Sequence, residues 1–194
     1  DTIDVKHNVM IDLNGHKLNN IKLGVNKLGV NKDVTLTLTG TAGSYVTQVY
    51  VRKGGGSFII DSEANVEFNT IFVEDSARLA VNDGAKVTTE QLTVIASVND
   101  DGTTTTSVKL ATGMKLGGLT YHRQNNSGVL KLGNLLDVTR QALRREDNGN
   151  YLDLYKEYGS MGYSVALTVV EHTDADHKYS DGTGKCEECG KPCE

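Results

Sequence analysis

The 194-residue chain has no tryptophan, one proline, three phenylalanines and no long apolar segment. Because no run approaches the roughly 18 consecutive apolar residues of a membrane-spanning helix, we expect no membrane span. No positively charged start precedes a hydrophobic stretch, as it would in a signal peptide. The formal net charge of -5 is spread along the chain and leaves no basic patch, so we expect no nucleic-acid partner.

What the chain does contain is glycine, and 21 glycines beside a single proline indicate many tight turns. A helical protein would tolerate them poorly, since glycine costs about 1 kcal/mol relative to alanine at each interior helix site. Between the turns, apolar and polar residues alternate, as in residues 57–61, 77–81 and 91–95. This period is typical of short strands with one buried face, and it predicts an all-β fold.

A repeat of slightly more than twenty residues runs through the first two thirds of the chain. Apolar residues 21 positions apart match in the pairs Phe58 and Leu79, Ile60 and Val81, Val66 and Val87, Ile71 and Leu92, and Val73 and Val94. Leu36 precedes Phe58 by 22 positions, and Val9 precedes Val34 by 25. Val108 follows Leu79 by 29 positions, and the polar segment 98–106 accounts for the extra length. A sustained period of this kind indicates a solenoid.

The repeat predicts a right-handed parallel β-helix of about five coils over residues 1–122. Three short strands and three turns fill about 21 residues at roughly 3.3 Å per strand residue, so each coil can close and stack on the next. Right-handedness follows from the strong preference of crossover connections between parallel strands.

Residues 123–170 have a different pattern, and we expect them to form a small helical cap on the solenoid. Helical spacing relates Leu135, Val138 and Ala142, and it relates Tyr151, Leu154, Tyr155 and Tyr158. A helix here would seal the apolar end of the stack, as terminal repeats require. The other interpretation makes Tyr151, Tyr155 and Tyr158 an aromatic binding platform for a sugar or a peptide.

Residues 171–194 form a short tail rich in cysteine and histidine. Cys186 and Cys189 have the CxxC spacing that suits one metal ion, and thiolate and imidazole are ligands that zinc prefers. The predicted ligand set is His177, Cys186, Cys189 and Cys193, with His172 as a substitute fourth ligand. Such a closed site would be structural. A disulfide with one odd thiol, a redox-active CxxC and a disordered tail remain open as alternatives.

A catalytic role would require carboxylates gathered on one outer face of neighbouring coils. The candidates are Asp61, Glu67, Glu74, Asp75 and Asp83. Under the 21-residue offset none of them stacks on another acid, and Glu67 falls on Thr88. Aspartates at turns more often bind backbone amides than act on a substrate. We therefore expect a non-catalytic protein.

Two parts of the sequence resemble a known kind of module. Residues 9–18, VMIDLNGHKL, and residues 34–40, VTLTLTG, resemble the opening coils of pectate-lyase-like β-helix modules in surface proteins of Gram-positive Firmicutes. Residues 167–173, LTVVEHT, followed by residues 184–190, GKCEECG, resemble the His…GxCxxCG ending of those proteins. The resemblance implies an extracellular protein, secreted or attached to the cell wall.

These observations predict a non-catalytic module cut from a larger protein and monomeric as a fragment. We expect it to act as a rigid spacer, or as an adhesin-type module that binds host glycan or protein. The alternative is a polysaccharide-degrading enzyme, either a glycoside hydrolase or a lyase, or an accessory domain of one.

Overall fold

The computed structural model describes residues 2–23, 34–54, 56–100, 103–125, 131–136, 140–156, 160–179, 184–187 and 189–191. Three residues named above, Val138, Tyr158 and Cys193, lie outside the described residues.

The described part of the chain is almost entirely β-structure. The strands are β1 Thr2–Val5, β2 Val9–Asp12, β3 Lys17–Leu23, β4 Thr35–Thr39, β5 Ser44–Val51, β6 Ser57–Ile60, β7 Asn65–Val73, β8 Arg78–Val81, β9 Lys86–Ala96, β10 Ser107–Lys109, β11 Lys115–Leu116, β12 Leu119–Arg123, β13 Gln141–Arg145, β14 Ser160–Tyr163 and β15 Leu167–Glu171. Short 3-10 helices cover Leu132–Leu135 and Asp174–Asp176. Neither has the length or the apolar character needed to cross a membrane. The all-β prediction is confirmed.

The first ten strands alternate between two sheets. Sheet B contains β2, β4, β6, β8 and β10 in that spatial order, and all its neighbours are parallel. Sheet A contains β1, β3, β5, β7 and β9, also in order and parallel, and then β11 to β15. Each repeat of the sequence therefore adds one strand to each sheet.

The strand register agrees with most of the sequence offsets. Phe58 pairs with Leu79 at an offset of 21, and Leu36 pairs with Phe58 at 22. Val108 pairs with Leu79 at 29, so the polar segment 98–106 is an insertion that leaves the pairing intact. These three offsets are confirmed.

The offset of 25 at the start of the chain is wrong. Val9 pairs with Leu36 rather than aligning with Val34, which makes the offset 27. Because side chains alternate with a period of two, a difference of two residues keeps the same side chains on the same face. The apolar pattern alone therefore cannot distinguish the two registers.

Strands β5, β7 and β9 each contain a corner. In β7 the buried residues are Val66 and Phe68 before the corner and Ile71 and Val73 after it, with two outward residues between them. The same change of phase occurs at residues 47–48 of β5 and at residues 90–91 of β9. Beyond β9 the two halves separate, because β11 pairs with its first half and β12 with its second. Sheet A is thus divided into a first half and a second half along its length.

Apolar side chains of like position stack in rows between the sheets. One row consists of Val5, Leu23, Val51, Val73, Val94 and Tyr121. Every member of this row is at most 5% exposed. Since burial contributes about 25 cal/mol per Å² of apolar surface, these rows are the main source of stability of the fold.

Gly56 shows how closely successive turns approach. Its φ is +102°, and a Cβ atom at this position would lie 2.0 Å from the carbonyl oxygen of Val34. A side chain here would be strained and would also clash with the backbone of the neighbouring repeat.

The predicted helical cap is wrong for the described residues. Gln141–Arg145, placed in a helix by the spacing of Leu135 and Ala142, forms strand β13, antiparallel to β15. Gln141, Ala142 and Leu143 are all buried in succession, which no single helix face would require. Here tertiary pairing overrides the local helical spacing.

In residues 151–156, the described part of the second predicted helix, the structure has a β-bridge and a turn instead. Tyr151 forms an antiparallel bridge with Arg144, and the N–H of Leu152 donates to the carbonyl of Leu143. Gly149, with φ +71°, allows the turn between the two segments. Asp153 then holds a single turn, because its Oδ1 accepts the N–H groups of Tyr155 and Lys156.

Candidate metal centre

His172 follows directly after strand β15, and its side chain is almost fully buried. Its backbone N–H donates to the carbonyl of Arg140 at 2.7 Å, and only 1% of the residue is exposed. The imidazole packs between two rings, with centroid distances of 5.0 Å to Tyr151 and 4.8 Å to His177. The end of β15 thus directs this imidazole into the protein.

Cys186 and Cys189 belong to a tight loop that folds back on itself. The N–H of Cys186 donates to the carbonyl of Lys191, and the N–H of Gly190 donates to the carbonyl of Cys186. Gly190 has φ +75°, and a Cβ there would lie 2.2 Å from Oδ1 of Asp153. The carbonyl of Cys189 accepts the N–H of Leu154, which attaches the loop to the turn after Tyr151. Both thiols are buried as a result.

These elements bring three metal-ligating side chains together. One ligand atom each of His172, Cys186 and Cys189 lies within 4.8 Å of the others. Nε2 of His172 is buried and has no hydrogen-bond partner among the described residues. An unsatisfied buried polar atom costs about 1–3 kcal/mol, and coordination to a metal ion would remove this cost. The cluster is therefore a group that can hold a metal ion.

Without a metal ion, burial keeps the side chain of Cys189 in its protonated form. Burial raises the pKa of the Cys189 thiol to about 11, and the backbone N–H of Lys191 lowers it only in part. A nearby positive ion favours the thiolate, which is the form that ligates metal. Within the described loop, Cys186 and Cys189 are not joined to each other by a disulfide.

The structure changes the order of the predicted ligands. Cys186 and Cys189 are in the cluster, as predicted, but the imidazole in it is that of His172, which was predicted only as a substitute fourth ligand. His177 lies beside the cluster with its ring against that of His172. Cys193 falls outside the described residues, so its role stays a prediction. The sequence contains one signal for His172, because this residue comes immediately after an apolar strand.

Two of the three predicted aromatic binding residues lie in the described part of the chain. Tyr151 and Tyr155 are half-buried and pack against the core. Tyr151 also contacts His172 and lines a shallow depression of about 380 Å³ with Asn150 and Glu187. Their proposed binding role stays a prediction. The contacts in the structure are those of Tyr151 with His172 and of both tyrosines with the core.

Among the candidate catalytic carboxylates, Asp75 holds the 98–106 insertion in place. Its carboxylate accepts hydrogen bonds from the Thr105 hydroxyl and the Ser97 N–H, and it lies 3.3 Å from Nζ of Lys53. Burial tends to raise the pKa of Asp75, but these hydrogen bonds outweigh it and hold the pKa below its usual value. A carboxylate committed to this many internal partners is poorly placed to act on a substrate.

The other candidate acids are also dispersed. Oδ1 of Asp61 accepts the N–H of Glu63 in a turn, and Glu74 accepts the N–H of Lys53. Glu67 pairs with Thr88, as the offset predicted. Asp83 lines a small cavity of about 90 Å³ with Glu171 and two cationic side chains.

The 22-residue offset also relates two outward aromatic residues, which form a stacked pair in the structure. Tyr50 and Phe72 are 22 positions apart, the offset that relates β5 to β7, and their rings stack at 4.8 Å with an interplanar angle of 1°. Applying the offset to outward residues as well as to core residues would have found this pair.

Comparison with family models, with curated proteins and with solved structures finds no match for this chain.

Proposed function

We propose that this chain is a non-catalytic β-helix module of an extracellular surface protein, acting as a rigid spacer or as an adhesin-type binding module for host glycan or protein. The observation that supports the β-helix is the parallel pairing of β1 to β10 in the two sheets around one apolar core. The corners in β5, β7 and β9 divide those repeats into three segments, which supports a three-sided coil. A stack of this kind is held by contacts between neighbouring repeats, which makes it stiff along its axis.

A pair of deletions tests the solenoid. Removing residues 46–67 joins Tyr45 to Phe68, and since Phe68 pairs with Val46, one whole coil is lost without a change of face. Removing residues 46–66 instead places Glu67 at the inward position of Val46, and a slip of one residue reverses every side chain in the strand. We expect cooperative urea unfolding for the first variant and strong destabilisation of the second. Equal loss of folding in both variants would contradict the β-helix.

We further propose that the cluster of His172, Cys186 and Cys189 binds zinc in a closed structural site. Two cysteines and an imidazole are a zinc donor set, and the fourth ligand is His177 or Cys193. The centre would fasten the C-terminal loop to β15 and to the turn around Asp153. Its role is structural, since four protein ligands leave no position for a substrate.

Metal analysis of protein purified without chelator tests the zinc centre and its ligands. We expect about one zinc per chain, reduced to near zero by Cys189→Ser and by His172→Ala. Comparing His177→Ala with Cys193→Ser identifies the fourth ligand, because only the true ligand will weaken zinc binding. Binding at pH 7 should release protons, since the thiol of Cys189 is protonated without metal. Intact protein with far less than one zinc per chain would contradict the proposal.

The non-catalytic part of the proposal is supported by the dispersed carboxylates. A panel of polysaccharides incubated with the intact chain should yield no new reducing ends and no unsaturated products. Cleavage that is lost in Asp83→Asn or Glu67→Gln would establish the enzyme alternative and overturn this part of the proposal.

A further inference from the structure

The outer surface of the second half of sheet A carries an aromatic stack that ends abruptly. The rings of Tyr50 and Phe72 are parallel at 4.8 Å, about the spacing of adjacent strands, so they stand upright on neighbouring strands. The guanidinium of Arg52 lies 5.5 Å from the centroid of Tyr50. Tyr50 therefore has partners in Arg52 and Phe72, and the stack continues no further than Phe72.

Beyond Phe72 the same row continues with small side chains. Phe72 pairs with Thr93, Thr93 with Thr120, and Thr120 with Gly162, on strands β7, β9, β12 and β14. The face of the Phe72 ring opposite Tyr50 is thus next to two threonines and a glycine, all of them at least partly accessible to solvent. We call this feature, made of Phe72, Thr93, Thr120 and Gly162, the Phe72 step.

The chemistry of the Phe72 step is polar and uncharged. None of its four residues carries a charge, and the Thr120 hydroxyl accepts a hydrogen bond from Nε2 of Gln91, whose amide borders the floor. Arg52 and Glu74, which lie near the step, form an ion pair at 3.9 Å, so their charges largely cancel. A ligand that fits must therefore offer an apolar face to the ring and hydroxyl groups to the floor, without a net charge.

We propose that the Phe72 step binds one unit of a neutral polysaccharide, with the C–H face of the sugar ring against Phe72 and its hydroxyls toward Thr93 and Thr120. This inference rests on the proposed role as a binding module and names a site and a ligand class for it. An uncharged floor favours a neutral sugar over an acidic one, because the cation of this row, Lys22, pairs with Tyr50 and so lies two strands from Phe72, on the side away from the floor. The ring of Phe72 forms the wall of this site, and the neighbouring strands, roughly 4.8 Å apart, form its floor.

Titration of the intact 194-residue chain with neutral oligosaccharides, followed by NMR, tests the proposal. The probes are cellotetraose, xylotetraose and mannotetraose, with a trigalacturonate as the acidic comparison. We expect saturable shifts of the backbone amides of Thr93 and Thr120 with at least one neutral probe. The acidic probe should bind more weakly.

Three variants locate the site. Phe72→Thr extends the threonine row that already exists and should weaken binding about tenfold, since the aromatic contact is lost. Thr93→Tyr should also weaken it, because a third ring fills the step while Phe72 is kept. Tyr45→Thr, on the first half of sheet A, is the matched control and should leave affinity unchanged.

Three results would contradict the proposal. The proposal fails if no neutral probe gives saturable shifts at the step, if the acidic probe binds there more tightly, or if Tyr45→Thr weakens binding as much as Phe72→Thr. Each of these outcomes leaves the coil deletions and the zinc analysis unaffected, so failure of this site is distinguishable from failure of the proposed fold and metal centre.

Discussion

The parallel-strand body, residues 34–123, and the C-terminal segment, residues 140–191, are held together in different ways. The body stacks apolar rows whose members repeat at fixed intervals, and residues such as Phe58 and Leu79 have no exposed surface. The segment uses antiparallel pairing of β13 with β15 and a buried cluster of one imidazole and two thiols. The difference predicts that burial stabilises the body, whereas the segment would gain part of its stability from the zinc ion proposed to bind this cluster.

The largest effect should follow from removing a core ring of the body. Phe58 is fully buried and meets Phe68 edge-to-face at 6.1 Å, so Phe58→Ala leaves a large cavity. We expect a loss of about 3–5 kcal/mol in the free energy of unfolding, with or without zinc. Urea denaturation followed by circular dichroism measures it. A loss that depends on zinc would show that the two regions do not differ as described.

Removing zinc should affect the C-terminal segment and leave the body nearly unchanged. At free zinc 100-fold above its Kd, binding stabilises the folded segment by about 2.7 kcal/mol. Hydrogen exchange should therefore accelerate in residues 172–191 on adding chelator, while residues 57–96 keep their protection. Cys186→Ser should reproduce the effect without chelator. An equal acceleration of hydrogen exchange along the whole chain would contradict the proposed difference between the two regions.

Asp75→Asn should have an intermediate effect, confined to the body. The substitution removes the charge that binds Lys53 and weakens the bonds to Ser97 and Thr105, at a cost of about 1–2 kcal/mol. Because the pKa of Asp75 is below 3.8 in the folded protein, its contribution is complete above about pH 3.8 and is lost as pH falls through the lower folded value.

Urea midpoints at pH 7 and pH 3 check this prediction. The difference between wild type and Asp75→Asn should shrink on acidification. A difference that stays constant or grows would mean that the carboxylate does not anchor the 98–106 insertion through its charge.

The smallest effect is expected from an exposed ion pair in the C-terminal segment. Arg145 and Asp147 lie 2.6 Å apart at the β13 turn, but both are accessible to solvent. Asp147→Ala should leave zinc content and the urea midpoint unchanged, since exposed pairs of this kind contribute little. A clear loss of stability would show that surface charge, in addition to metal, holds this segment.

The reliability of the sequence predictions differs between the same two regions. In the body, offsets of 21, 22 and 29 placed Phe58, Leu79 and Val108 in their correct pairs, because a repeated apolar pattern encodes register directly. In the segment no repeat exists, and the spacing of Leu135 and Ala142 wrongly predicted a helix. The partner strand β15 decided that structure, and local spacing carries no information about a partner 26 residues away, as in Leu143 and Val169.

The candidate site shows the same division. The CxxC spacing identified Cys186 and Cys189, because two ligands so close in sequence can reach one ion whatever the surrounding fold. The choice of His172 depended on where β15 ends relative to the loop, and sequence distance favoured His177. The Tyr50 and Phe72 pair was contained in the 22-residue offset, but its exposed end became visible only when Thr93 and Thr120 were placed beside it.

The sequence by itself thus determined the all-β class, the inward rows and the cysteine pair, since each follows from spacing along the chain. Tertiary structure decided the antiparallel C-terminal strands, the imidazole that joins the thiols, and the surface beside Phe72. Each of these depends on distances between segments that are remote in sequence. Local spacing carries no information about such distances, because packing between the segments sets them.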